Sequence, residues 1–180
     1  MAYVFQYGSN LSTERLDHAD RLRGDAKVVG KAVTQAAFKF VFDIWSIADG
    51  GRAACDIISG SGRPIWGVVY NIPDFLIERS AAKACDRKSL DAIEGEGSNY
   101  ERVPIKLNHP NGSPVVEQVI TYVGKTRKPG IQTTWDYVRY ILLGLKEHDM
   151  PLEYRTYVTS QILANNPALL DQMKQHAVNQ

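Results

Sequence analysis

Val4-Phe5-Gln6-Tyr7-Gly8-Ser9-Asn10-Leu11 is the stretch from which this chain can be read. Val4 to Tyr7 reads as a short buried strand. Gly8 permits a sharp backbone turn without a Cβ penalty. Ser9 and Asn10 are turn and helix-start residues. The spacing of Leu11, Leu16 and Leu22 predicts a helix over 12–23. A tight loop between a strand end and a helix start leaves several backbone N–H groups pointing one way, which suits a carboxylate or a phosphate. An ordinary first β–α turn has the same pattern, and taken alone the stretch reads more simply as that.

A second stretch, Ser89-Leu90-Asp91-Ala92-Ile93-Glu94-Gly95-Glu96-Gly97-Ser98-Asn99-Tyr100, sharpens the reading. Ala84, Leu90 and Ile93 lie at helical spacing, and Gly95 is placed to stop the helix. Glu94 then sits in the last turn, at the negative end of the helix dipole, where a carboxylate is disfavoured. If buried there, its pKa rises towards neutrality, as a proton shuttle requires. A solvated acidic turn is the alternative. Glu96, between two glycines, is a rival carboxylate and reads as a turn residue.

Outward from these, Ala26 to Thr34 and Ala37 to Asp43 read as strands. Phe38, Phe40 and Phe42 share one face of the second, with Lys39 and Val41 opposite. Asp49-Gly50-Gly51 reads as a turn, followed by strands over 52–59 and 65–71. Pro73 to Gly95 reads as helical, broken near Asp86. Tyr100 to Leu107 and Val115 to Val123 form an expected hairpin with its turn at Pro110-Asn111-Gly112. Gln132 to Lys146 and Leu152 to Gln175 close the chain as helices. Lys125 to Gly130 reads as a solvated basic loop or a flap.

Composition sets outer limits. One domain over residues 1–180 is the default for this length. A net charge of +1 marks neither nucleic acid nor an anionic membrane as a partner. No apolar run reaches the ~20 residues of a membrane span, and no signal peptide is visible at the N-terminus. Cys55 and Cys85 lack metal or redox spacing, so Cys55 reads as strand core and Cys85 as packed in a helix. A reduced, cytoplasmic protein is the simplest expectation. His18, His109, His148 and His176 are not spaced as metal ligands. The Gly-x-Ser-x-Gly elbow of many hydrolases is absent. Trp45, Trp66 and Trp135 read as core or pocket walls, and Arg21, Arg23 and Lys27 as a solvated face.

Tyr7-Gly8-Ser9-Asn10-Leu11, followed by Leu90-Asp91-x-x-Glu94-Gly95 and Tyr100, resembles the gamma-glutamylcyclotransferase-like family. Further similar stretches are Ile65-Trp66-Gly67-Val68-Val69-Tyr70, Thr121-Tyr122-Val123, Tyr137-x-x-Tyr140-Ile141-x-x-Gly144 and Met150-Pro151-Leu152-Glu153-Tyr154. They cover residues 3 to 158 in the family's order. The resemblance implies an α+β fold, a small, mostly closed mixed β-barrel surrounded by helices. It also implies cyclisation of a small gamma-glutamyl compound to 5-oxoproline with release of an amine, without metal or cofactor. Glu94 takes the acid/base role, and Tyr7, Gly8, Ser9, Asn10 and Leu11 hold the glutamyl portion. Tyr122 is either a substrate partner or a core tyrosine whose hydroxyl meets backbone.

Three features depart from the family pattern. Asn71 to Arg87 is longer than the usual link and predicts an added helix, at the pocket rim or a subunit contact. Gly124 to Thr134 is charged, with Thr133 or Thr134 as the helix cap. Asp149-Met150-Pro151 replaces a commoner Gly-Leu-Pro. The last helices carry apolar and aromatic residues suited to a homodimer contact. Three functions remain open: cyclotransferase, removal of a gamma-glutamyl protecting group by the same cyclisation, and a non-catalytic binding protein.

Overall fold

Strand β1, Ala2–Gln6, runs through the middle of the molecule. It pairs antiparallel with β5, Trp66–Ile72, and parallel with β8, Val119–Gly124. In this computed structural model, which describes residues 1–46 and 52–178, the large sheet adds β2 (Lys27–Thr34), β6 (Tyr100–Ile105) and β7 (Leu107–Asn108) in the order β6-β8-β1-β5-β2-β7. The Asp49-Gly50-Gly51 turn lies outside the described residues. Gly67, Val68, Val69 and Tyr70 of β5 are all buried, as in a strand covered on both faces.

Strands β3 (Phe38–Ser46) and β4 (Arg52–Ser59) form a separate antiparallel pair. In β3 the alternation holds: Phe40, Phe42, Ile44 and Ser46 face inward while Lys39 and Trp45 are exposed. The fold is thus α+β. The six-stranded sheet curls as a half-barrel. The β3–β4 pair meets it by packing of β4 against β8 and a bridge between Ile44 and Arg127.

Several expected elements are shorter. The helix expected over 12–23 is only α1, Thr13–Leu16. Asp17 Oδ1 accepts from the Ala26 amide at 3.0 Å, and the His18 carbonyl accepts from both Arg21 and Arg23 amides. Arg23 and Gly24 follow with positive φ, so the chain turns back. Local side-chain bonding by aspartate competes with helix here. Leu16 and Leu22 are still fully buried.

The segment after β5 holds a 3-10 turn (Asp74–Leu76), α2 (Arg79–Ala84) and α3 (Leu90–Glu94), with the break at Asp86 as expected. The expected hairpin is β6 with β8, while Leu107–Asn108 leaves it to pair with β2. Cys85 is exposed at the end of α2 rather than packed.

Helix α4 (Trp135–Glu147) follows Thr134 and buries Tyr137, Val138, Ile141 and Leu145 on one stripe. Helix α5 (Leu152–Asn165) stops before Pro167, which lacks an amide and restricts Asn166. A 3-10 turn and α6 (Leu170–Val178) follow, so the last expected helix is two.

The Lys125 to Gly130 loop is exposed but tethered. Arg127 pairs with Asp43 at 3.0 Å and with the fully buried Asp56. Lys128 Nζ lies 3.9 Å from the ring centroid of Trp45, so that tryptophan packs at the surface and not in the core. Burial pushes the Asp56 carboxyl up, while the Gly124 amide and the Arg127 charge pull it back. Arg127→Ala should destabilise the fold by about 2 kcal/mol. That is below the 3–5 kcal/mol or so of a wholly buried pair, because Arg127 is itself partly exposed. Urea unfolding measures this, and an unchanged midpoint would show the pair to be idle.

Candidate active site

The end of β1 and the end of α3 meet at Glu94. Ser89 caps α3 by accepting from the Ala92 amide at 3.0 Å, and Gly95 ends it in the left-handed conformation (φ 67°, ψ 40°). Glu94 is therefore the last residue of the helix. Its Oε1 accepts from Asn10 Nδ2 at 2.8 Å and from Gln6 Nε2 at 3.2 Å. The residue is half-buried, and its carboxyl end is the enclosed part. Burial pushes the carboxyl above the usual range. The Asn10 bond, the Arg21 charge, the Gln6 bond and the Arg15 charge partly offset this, in that order.

Ser9–Leu11 form a 3-10 turn, closed by the Leu11 amide on the Gly8 carbonyl (2.9 Å) and the Ser12 amide on the Ser9 carbonyl (3.4 Å). Among the described residues, the Gly8 and Asn10 amides enter no backbone–backbone bond. Gly8 is required for space: a Cβ there would lie 2.5 Å from Cys55 Sγ.

Tyr7, Gly8, Ser9, Asn10 and Glu94 line a narrow inner cavity of about 30 Å³. Tyrosine rings form its other walls, and each hydroxyl is already engaged. Tyr7 donates to the Tyr122 carbonyl at 2.6 Å, Tyr100 to the Cys55 carbonyl at 2.6 Å, and Tyr137 to Cys55 Sγ at 3.3 Å. The Tyr122 hydroxyl donates to Asp91 Oδ1 at 2.6 Å. Tyr122 thus lines the cavity, but its partner is a carboxylate and not backbone. Asp91 is oriented in turn by Arg102 at 3.3 Å.

Leu11 stands apart. Its side chain is fully buried and does not line the cavity, because the 3-10 turn directs it towards α4. Its carbonyl accepts from Tyr70 and His148, each at 3.0 Å. Its place is to anchor the loop. Glu96 lines neither this cavity nor the one beside it, and it pairs with Arg79 at 3.2 Å. Cys55 borders the cavity, but burial raises its thiol to about 12, so it is no thiolate at neutral pH.

Beside the inner cavity lies an outer one of about 240 Å³, with Ser9, Asn10, Glu94, Tyr100 and Tyr137 common to both. Arg15 and Arg21 line it. Arg21 Nη1 donates to Asn10 Oδ1 at 2.7 Å, so Arg21 belongs to the site and not to a solvated face. The sequence reading missed Gln6, Arg15, Arg21, Tyr100 and Tyr137 as site residues. Tyr100 and Tyr137 both stand in the stretches that resemble the family, which is the signal that marks them. Nothing local marked Arg21, which reaches the site only because the chain turns back after Leu16.

A carboxylate at a helix end thus faces a strand-to-helix loop across a tyrosine-walled cavity on a half-barrel. The family model for gamma-glutamyl cyclotransferase, AIG2-like proteins matches residues 4–140. The chain belongs to that family.

A gamma-glutamylcyclotransferase from Bos taurus is 27% identical over 168 residues, covering 87% of this chain and 76% of that protein. A solved gamma-glutamyl cyclotransferase superposes with a TM-score of 0.69 at 24% identity, covering 88% of this chain and 86% of the other. An uncharacterized human protein gives the same TM-score and coverage at 26% identity. These names support an activity of the gamma-glutamylcyclotransferase type. Among the described residues no helix is long and apolar enough to cross a membrane.

Proposed function

We propose that the protein cyclises a small gamma-glutamyl compound to 5-oxoproline and releases the amine. Glu94 carries the reading: a carboxyl pushed up by burial, 2.8 Å from a side chain of the loop that would hold the glutamyl group. Nucleophile and electrophile belong to one substrate, so holding it folded can contribute about 7–11 kcal/mol of the barrier reduction. Ionised Glu94 takes a proton from the substrate's α-ammonium. The freed nitrogen attacks the γ-carbonyl carbon, and the carbonyl electrons pass to oxygen. The Gly8 and Asn10 amides are the proposed donors to that oxyanion. As the tetrahedral intermediate collapses, Glu94 gives its proton to the leaving nitrogen and the C–N bond to that amine breaks. The ring nitrogen, which still carries two hydrogens after its attack, loses one to the again ionised Glu94, and that proton leaves with the amine as its ammonium or passes to solvent.

The tyrosine walls keep water from competing with the intramolecular attack. Their hydroxyl hydrogens are committed, so they offer the substrate aromatic surface and lone pairs. The Tyr122 oxygen can accept from the α-ammonium and place it beside Glu94.

The pH dependence tests the reading. Glu94 acts as a base only when ionised, so kcat/KM falls as pH drops through its pKa. Burial places that limb above the ~4.3 of an ordinary glutamate. A profile of 5-oxoproline release flat down to pH 4 would contradict the role of Glu94.

A further inference from the structure

Asp91 is a buried carboxylate that the cyclisation steps do not use. It stands on α3 three residues before Glu94, a spacing that puts both side chains on one face of the helix. Asp91 lines neither cavity. It meets the inner one through Tyr122, whose hydroxyl donates to Asp91 Oδ1 at 2.6 Å and whose side chain shares the cavity wall with Glu94.

The carboxylate is fixed from several elements. Arg102 Nη1 of β6 lies 3.4 and 3.3 Å from its two oxygens, and Arg102 is held in turn by Glu78 at 3.2 Å. The Asp91 amide donates to the Ile77 carbonyl at 3.0 Å. Its carbonyl accepts from the Glu96 amide at 2.8 Å and from the Arg79 guanidinium at 2.9 Å.

This arrangement decides which way the Tyr122 hydrogen points. A carboxylate paired with a guanidinium is an acceptor only. The hydrogen between the two side chains therefore belongs to Tyr122 and is turned from the cavity towards Asp91. The phenol oxygen leaves lone pairs for the cavity. Burial, and after it the Asp91 bond, push the Tyr122 hydroxyl pKa up, so the phenol keeps that hydrogen at neutral pH.

We propose that Asp91 is a positioning residue: by holding the Tyr122 hydroxyl hydrogen, it fixes the phenol oxygen as an acceptor for the substrate's α-ammonium beside Glu94. This rests on the cyclisation reading above. Without an acceptor-only partner the hydroxyl hydrogen can turn into the cavity and oppose the ammonium. The substrate nitrogen carries hydrogens and positive charge both when it binds and just after it attacks. The contact is therefore made in ground state and transition state alike, and its loss falls on KM more than on kcat.

The test uses gamma-glutamylalanine as substrate and glutarylalanine, the same molecule without its α-amino group, as competitive inhibitor. In Asp91→Asn the amide offers N–H as well as oxygen, so the Tyr122 hydrogen is no longer committed. KM for gamma-glutamylalanine should rise by about ten- to a hundredfold, the scale of a hydrogen bond to a charged group. The inhibition constant of glutarylalanine should stay unchanged, because it brings no ammonium. Tyr122→Phe, which leaves the Asp91–Arg102 pair in place, should show the same split. In Tyr122→Phe/Asp91→Asn the two losses should not add, because Asp91 acts through that hydroxyl. An unchanged KM in either single variant would overturn the positioning role and leave cyclisation standing. So would an Asp91→Asn protein that binds glutarylalanine as poorly as substrate, or one that loses as much again in the Tyr122→Phe background. No 5-oxoproline from gamma-glutamylalanine with wild type would overturn both.

Discussion

Glu94→Gln is expected to fold and to lose turnover by about 10²–10⁴-fold, the contribution of a positioned acid/base group. The glutamine amide oxygen can still accept from Asn10 and Gln6, so the hydrogen bonds that set the loop survive. What it cannot do is carry a proton between two nitrogens. Stability should move the other way. Burial raises the Glu94 pKa in the folded state, so the folded protein binds this proton more tightly than the unfolded chain does. The stabilisation is complete below the unfolded pKa and is lost as pH rises through the folded one. At neutral pH the glutamine variant escapes that loss, so its melting temperature should equal or exceed that of wild type. A variant both inactive and less stable would point to a structural glutamate.

Gly144→Ala is the second large effect. Helix propensity alone favours alanine by about 1 kcal/mol in a helix interior. Here the added Cβ would lie 2.6 Å from the Leu11 carbonyl carbon and the Ser12 nitrogen, and 2.9 Å from Leu11 Cβ. Backbone on both sides cannot yield as a flexible side chain would. The expected net result is a loss of about 1–3 kcal/mol and a raised KM, because α4 pushes on the loop that would bind substrate. Urea unfolding and steady-state kinetics measure the two. A more stable protein with unchanged KM would mean that α4 does not set the loop.

The parts legible in the sequence were those specified locally. Alternation in Phe38 to Phe42 gave the faces of β3, and the Glu94-Gly95 pair gave the end of α3 together with the reason for a raised pKa. The turn at Gly8 was legible from the glycine and the Ser9-Asn10 pair after it; that the glycine is needed for its close approach to Cys55 Sγ, with φ at −97° and not positive, was not. Long-range geometry was not legible. The apolar spacing of Leu16 and Leu22 suits a helix, yet aspartate bonding and positive φ make a reversal that buries both leucines equally well. That reversal carries Arg21 into the site. Arg127 reads as loop charge, and its tie to Asp56 spans most of the sheet region in sequence. The family pattern named Leu11 with its neighbours, but a contiguous motif does not say which side chain faces the cavity and which anchors the loop from behind.

Release of 5-oxoproline, followed by mass spectrometry, tests the central claim most directly. Wild type and Glu94→Gln would be given gamma-glutamyl amino acids, gamma-glutamylamines and glutathione side by side. The account predicts 5-oxoproline and free amine in equal amounts from wild type, and almost none from Glu94→Gln. Full turnover by the glutamine variant, or release of glutamate in place of 5-oxoproline, would contradict it.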